Sequence, residues 1–392
     1  RVGYVGADFR MHSSAFIHSG IILHDDPGVM KFCYATQDET DPLRVERETK
    51  AGHRVIKVDA GFNAIVTEEY QKASTFAYVG DLSDKDLHDR IRADRIDILV
   101  DLAGHSAGNR LRVFARRAAP IQITAWGYAT GTGCRTMDYF FADEWTVPKT
   151  LRHHYREEII DLPAILCYNP PYYMRRDPDQ AMPGFEQDFP TVTPPPCLSG
   201  KPFTYGALTR GIKCTTETLG MWADILTLAP GTRLVLKDAG WDLADARARV
   251  IGFFAARGLT ERVAILGGTP HPDHVRTLED IDLVLDPYPH AGGVGECEAL
   301  WMGVPAVTRI CDLPTSRNTA SLYGALPGDF RDFICNSREE YVQCATTWAA
   351  RPYELAAIRS GLRASFKASP LFAPNYAPRV HAIYRELWRE WC

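Results

Sequence analysis

Residues 281–307, IDLVLDPYPHAGGVGECEALWMGVPAV, restrict the possible folds more than any other stretch of the chain. The apolar run Leu283-Val284-Leu285 reads as a buried strand, and Asp-Pro-Tyr-Pro closes it. A loop with Gly292, Gly293 and Gly295 follows. Residues 296–301 then read as a helix start, and Gly303-Val304-Pro305 as its stop. Strand, glycine loop and helix in that order let the backbone N–H groups of Gly292, Gly293, Val294 and Gly295 approach a phosphate at a helix N-terminus, where the dipole also favours negative charge. Glu298, about one turn into the helix, aims back at the loop mouth. Phosphate would repel its carboxylate, so ribose hydroxyls suit it better. The residues alone leave open an ordinary strand-to-helix turn with a solvated Glu298, because a lone glycine loop is a weak signal.

The rest of the chain repeats the alternation. Short apolar runs at 1–5, 31–36, 52–58, 96–102, 121–126 and 139–142 read as strands, with helical spacing at 15–23, 84–93 and 109–117 between them. A second set begins at 204: strands at 204–208, 233–237, 262–266 and 306–308, and helices at 215–228, 244–258 and 274–279. The chain ends in helices at 339–350, 353–367 and 377–391. Residues 169–203 break the pattern with Pro170-Pro171 and Pro194-Pro195-Pro196. The expected organisation is an α/β chain of two Rossmann-like domains facing across a cleft. The first covers 1–168, a proline-rich connection 169–203, and the second 204–375. A last helix at 376–392 is expected to pack back on the first domain. Ligand loops belong at the carboxyl ends of parallel strands. In the first domain these are 6–14, with His12, 104–109, with His105, and 127–133.

At 392 residues the chain exceeds one ordinary core. A formal net charge of −5 argues against a dominant nucleic-acid surface. No apolar run approaches the roughly 20 residues that span a bilayer. The ten cysteines are scattered, with no C-x-x-C pair, and read as buried, reduced thiols in a cytoplasmic protein. Asp177 and Asp179 fall in the proline-rich connection and read as solvated, and Asp280 and Asp282 as structural. No metal site is expected.

Several stretches together resemble the catalytic region of glycosyltransferase family 41, the family of the protein O-GlcNAc transferases and SPINDLY-type enzymes. They are RVGYVGADFRMHS at 1–13, IDILVDLAGHSAGNRL at 96–111, APIQITAWGYATGTG at 119–133, MDYFFAD at 137–143, LTRGIKCTTETLGMWADIL at 208–226, DLVLDPYPHAGGVGECEALWMGVPAVT at 282–308 and YRELWREW near the end. The resemblance implies a GT-B fold and an inverting, metal-independent glycosyltransferase. Such an enzyme moves a sugar from a nucleotide donor to Ser or Thr hydroxyls of a protein or peptide acceptor. UDP-GlcNAc is the first expected donor and GDP-fucose the second. No further cofactor is implied, and the family's acceptor-binding tetratricopeptide repeats would lie upstream of this chain.

The resemblance also gives roles to single residues. His12 stands at a histidine proposed as catalytic base, a job suited to a group titrating near neutrality. Lys213 stands at the lysine beside the donor diphosphate, where a cation stabilises the leaving group. Glu298 matches the acidic residue on the ribose. Trp126 and Gly127 match a loop on the donor sugar, although core packing serves Trp126 equally well. Thr269, His271 and His274 match the segment framing the base, with His271 in place of a frequent lysine. His290 falls near the sugar, Arg210 at a usual polar amide, and His53 at a possible second histidine. At Gly293, Val294, Gly295 and Glu296 the chain departs from a run of threonines, and Glu296 would repel phosphate unless it points away. A sugar-nucleotide epimerase and a non-catalytic nucleotide-binding scaffold remain the alternatives.

Overall fold

The computed structural model describes residues 1–37, 60–171 and 191–392. His53, the expected strand at 52–58, and Asp177 and Asp179 lie outside the described residues. The chain divides into two compact units, one of Arg1–Asn169 with Phe372–Cys392 and the other of Pro170–Leu371.

In the first unit, strands β1 (Val2–Gly6), β2 (Lys31–Ala35), β3 (Thr75–Tyr78), β4 (Ile98–Asp101), β5 (Ile121–Thr124), β6 (Tyr139–Ala142) and β7 (Glu158–Asp161) form one sheet in the order β3-β2-β1-β4-β5-β6-β7. Every pairing in it is parallel. Helices α1 (Ala15–Ile22), α2 (Ala60–Ala73), α3 (Asp84–Ala93) and α4 (Leu111–Phe114) connect its strands. The central strands β1, β4 and β5 are buried along their length, as strands covered on both faces must be. Gln122 is the polar exception in β5. Its amide donates to Phe114 O at 2.9 Å and Thr136 O at 2.6 Å and accepts from Ala118 N at 3.0 Å, so burial leaves it fully bonded.

The second unit has β8 (Thr204–Ala207), β9 (Arg233–Lys237), β10 (Val263–Leu266), β11 (Leu283–Leu285), β12 (Ala306–Arg309) and β13 (Ile334–Cys335), in the order β10-β9-β8-β11-β12-β13. Its pairings are also parallel. Its helices are α5 (Thr216–Leu228), α6 (Ala244–Ala255), α7 (His271–Arg276), α8 (Val294–Trp301), α9 (Asn318–Ala325), α10 (Arg338–Ala349) and α11 (Pro352–Ala368). Counted within its unit, each sheet follows the doubly wound order 3-2-1-4-5-6, with β7 added at the edge of the first. In such sheets ligands bind where the winding reverses, outside the carboxyl ends of the strands. That point lies between β1 and β4 in the first unit and between β8 and β11 in the second.

The final helix, α12 (Ala373–Trp391), completes the first unit. It begins at Ala373, earlier than expected, because Pro374 sits in the first turn, where no N–H donor is needed. Tyr376, Val380, Ile383, Tyr384 and Leu387 are buried. Ala373 N donates to Tyr168 O at 3.1 Å, beside a parallel bridge between Tyr168 and Phe372. The described end of the proline-rich stretch packs within the second unit: Cys197 N donates to Asp282 Oδ1 at 3.1 Å and Arg359 Nη2 to Thr193 O at 3.1 Å. The expected basic helix at 109–117 shrinks to α4, and the one at 274–279 moves back to start at His271, behind Pro270. Among the described residues no helix is long and apolar enough to cross a membrane, the ten cysteines form no disulfide, and only five of them are buried as expected.

Candidate active site

The switch point of the second unit is built on Asp286, the first residue after β11. It is fully buried. Its carboxylate accepts from Gly292 N at 2.7 Å, Thr308 Oγ1 at 2.7 Å and Thr319 Oγ1 at 2.6 Å. The loop between strand and helix is tied from several sides. Thr218 Oγ1 donates to Tyr288 O at 2.6 Å and accepts from Tyr288 N at 3.1 Å. Ala291 N donates to Thr315 O at 2.9 Å. Lys213, on the turn Gly211–Lys213 that follows β8, donates from Nζ to Ala291 O at 2.8 Å. The lysine expected at the diphosphate therefore does meet the glycine loop.

Glu296 accounts for Gly292. Its carboxyl folds back over Gly292 so closely that a Cβ there would stand 1.3 Å from Oε2. Only glycine fits. Glu296 is 4% exposed, and its carboxyl lies against that of Asp286. Burial first, then the neighbouring Asp286 charge, push Glu296 up to about 8, with Lys213 pulling the other way. A carboxyl in this state is mostly protonated at neutral pH. The expectation that Glu296 would repel phosphate unless turned away is answered on both counts: it is tucked inward, and it is neutral. The first N–H groups of α8, at Val294 and Gly295, have no acceptor within the helix, as at any helix start. Burial lowers Lys213 from the ordinary lysine value, and the Glu296 and Asp286 charges oppose that. Burial, then the charges of Lys213 and Arg210, push His290 down to about 4, so its imidazole is neutral beside the two cations. A neutral histidine, a lysine, an exposed arginine and a helix start suit an anion.

The other end of α8 brings together Glu298 and α7. His271 Nε2 meets Glu298 Oε1 at 2.7 Å, with Glu298 4% exposed. The His274 ring stacks on His271 with centroids 6.2 Å apart, and burial lowers its pKa. Thr269 is exposed on the loop just before them. Three residues that resemblance placed around ribose and base thus form one cluster. Lys237, which sequence reading assigned only to a strand, joins it. It ends β9, is 3% exposed, and interacts electrostatically with His274, Asp273 and Asp242.

In the first unit, His12 follows β1 at the switch point. Its Nδ1 accepts from Ser14 N at 3.2 Å and lies 3.4 Å from Asp8 Oδ2, while Arg10 Nη2 holds the other Asp8 oxygen at 3.1 Å. Asp8 thus ties His12 and Arg10 together within the loop. His105, on the β4 side, meets Thr132 O through Nε2 at 3.0 Å and packs its ring on Tyr128. Trp126 and Gly127 have packing roles within the first unit, the second of the two readings open for Trp126. Trp126 is 8% exposed, its indole N–H donates to Tyr376 Oη at 3.1 Å, and its ring packs edge-on to Phe141. Its φ of +59° makes a tight turn closed by Gly127 N donating to Ala125 O at 2.7 Å. A Cβ on Gly127 would come within 1.6 Å of Leu102 O, so backbone packing alone demands glycine. Glu157, which sequence reading missed, anchors the neighbouring loop by accepting from Thr132 N, Thr132 Oγ1 and Gly133 N.

A family model described as glycosyl transferase family 41 matches residues 1–168 and 198–379. A probable UDP-N-acetylglucosamine–peptide N-acetylglucosaminyltransferase SPINDLY from Solanum lycopersicum is 30% identical over 396 residues, covering 100% of this chain and 39% of the relative. The corresponding enzyme SEC from Arabidopsis thaliana is 27% identical over 401 residues, covering 100% of this chain and 37% of its own. The chain therefore spans about two-fifths of the length of the curated relatives it matches. An O-GlcNAc transferase from Thermobaculum terrenum, solved as a lysine-to-methionine variant, superposes with a TM-score of 0.82 at 29% identity, covering 100% of this chain and 68% of that one. Anabaena HepE, solved with UDP-glucose, superposes with a TM-score of 0.61 at 12% identity over 98% of this chain and 99% of that one, a likeness of fold alone. Two parallel α/β units with these neighbours make the fold GT-B.

Proposed function

The chain belongs to glycosyl transferase family 41, and from that premise we propose that it moves a sugar from a nucleoside diphosphate to Ser or Thr hydroxyls of a protein acceptor, with inversion and without a metal. The observation that carries this is the joining of Lys213 to the glycine loop at the β8/β11 switch point. As the sugar leaves, charge builds on the diphosphate. Lys213 and the N–H groups that open α8 stabilise it there, where preorganised donors act most strongly. Glu298, oriented by His271, takes the ribose hydroxyls, and His274 frames the base. Thr269 and Arg210 line the same loops, and Arg210 adds positive charge. His12 assists removal of the acceptor proton, positioned by Asp8 and Ser14. UDP-GlcNAc is the donor named by the relatives and is the first choice here, and GDP-fucose is the second. Acceptor selection belongs to segments of longer relatives that lie beyond this chain.

Lys213→Ala is expected to lower turnover at least about a hundredfold, in line with loss of one preorganised donor to a developing anion, while circular dichroism shows an intact fold. Near-normal turnover in that variant would sink the assignment. A thermal-shift panel of UDP, GDP, UDP-GlcNAc and GDP-fucose chooses the donor. Release of free sugar epimer from donor alone would favour an epimerase, and a shift with no turnover a scaffold.

A further inference from the structure

Two acids lie side by side beneath the glycine loop. Asp286 and Glu296 are both buried, 0% and 4% exposed, and their carboxyls touch. Asp286 accepts three hydrogen bonds, from Gly292 N, Thr308 Oγ1 and Thr319 Oγ1, which favour its anion and oppose the upward push of burial on its pKa. Two adjacent buried carboxylates cannot both be ionised at low cost, so the proton goes to Glu296. Charged and titratable groups face the pair from each neighbouring element. Lys213 stands on the turn after β8, with Arg210 behind it, and His290 lies on the loop. Tyr323 of α9 senses both acids and Tyr341 of α10 senses Asp286, but their hydroxyls are engaged with Ala306 O at 2.7 Å and Asp286 O at 2.9 Å. With the proton in place, Lys213, Asp286 and Glu296 sum to zero charge. Without it they sum to minus one, directly behind the N–H groups that would receive a phosphate.

We propose that Glu296 and Asp286 hold one proton between them and that this proton must be present for a nucleoside diphosphate to occupy the glycine loop at Lys213. This rests on the reading of that loop as the diphosphate site. Glu296→Gln is the direct probe, because a carboxamide donates to Asp286 as the protonated acid does but cannot ionise. Binding of UDP is measured by calorimetry from pH 7 to 9.5, a range in which about nine-tenths or more of its terminal phosphate has lost the second proton. For the wild-type chain the dissociation constant should rise about tenfold between pH 7 and pH 9, as expected for one proton leaving near the middle of that window. For Glu296→Gln it should stay within about twofold. A wild-type profile that is flat overturns the proposal. So does a Gln variant that weakens as steeply as wild type, which would assign the loss to Lys213.

Thermal unfolding without nucleotide separates this from failure of the site reading. Glu296 is raised from 4.5 to about 8 in the folded chain. Between those values the folded chain keeps a proton that the unfolded chain has released, so stability falls as pH rises through the window and levels off above it. Glu296→Gln escapes that loss and should gain in melting temperature over wild type from pH 5 to pH 9. If this gain appears and UDP binds neither protein at pH 7, the proton is real but the loop does not hold the diphosphate, and the proposal falls with the site reading. If the gain is absent while UDP binds at pH 7, the site reading stands and the shared proton is refuted.

Discussion

Gly292 shows how tightly single residues are constrained around the candidate site. Its missing side chain is the space that the Glu296 carboxyl occupies. Gly292→Ala should therefore destabilise the protein by about 1–3 kcal/mol, the usual range for overpacking, and abolish UDP binding. Combining it with Glu296→Ala should recover a good part of both losses, because the second change removes the atoms in collision. Denaturant unfolding of the two single variants and the double variant closes that cycle, and strictly additive costs would show that the contact is not the cause. Some of this residue scale was legible in the chain and some was not. Lys213 and Glu298 stand beside strand ends and glycines that declare a ligand loop, and His271 was found through the same segment. Asp286 was in plain view in LVLD, but its partners Thr308 and Thr319 lie 22 and 33 residues away, and only the folded sheet brings them to it. Lys237 and Glu157 gave no local signal. Trp126 was ambiguous because an aromatic before a glycine suits a sugar face and a core equally, and its hydrogen bond to Tyr376, 250 residues on, could not be read from the chain.

At the level of elements, the helices read at 84–93, 215–228, 339–350 and 353–367 end within a residue of those observed, whereas α2, α9 and three short edge strands were missed. The helix at 84–93 matches α3, with the Ser83 hydroxyl accepting from Asp86 N at the cap. Thr215 likewise caps α5 by accepting from Thr218 N. Strands β3 and β7 are four-residue edge strands, each exposed at both ends and only half-buried between, and β13 has two residues. None is long enough to show alternation. The C-terminal helix carries the largest structural prediction. Deleting residues 373–392 removes five large buried apolar side chains from the first unit: Tyr376, Val380, Ile383, Tyr384 and Leu387. Each contributes roughly 1.5–3 kcal/mol by burial, so the total rivals the roughly 5–15 kcal/mol that a whole domain has to spare. The truncated chain should show first-unit residues cut by protease at temperatures where the full chain resists. An unchanged cleavage pattern would mean that α12 is dispensable.

Seen whole, the molecule is the same doubly wound sheet built twice, with each candidate ligand loop set by the winding rather than by local motif, and the chain passes through the first unit at both its start and its finish. The strand bridge between Tyr168 and Phe372 has a topological meaning. The points at which the chain departs from the first unit and comes home to it are neighbours, so the second unit is a guest spliced into a single seam of its host. A chain in which Asn169 is joined by a short glycine linker to Phe372 should fold as an autonomous domain, with a cooperative melt and dispersed amide resonances, and a molten product would refute this. The same seam could accept a different nucleotide-binding domain in exchange, making the host a socket for interchangeable donor specificities.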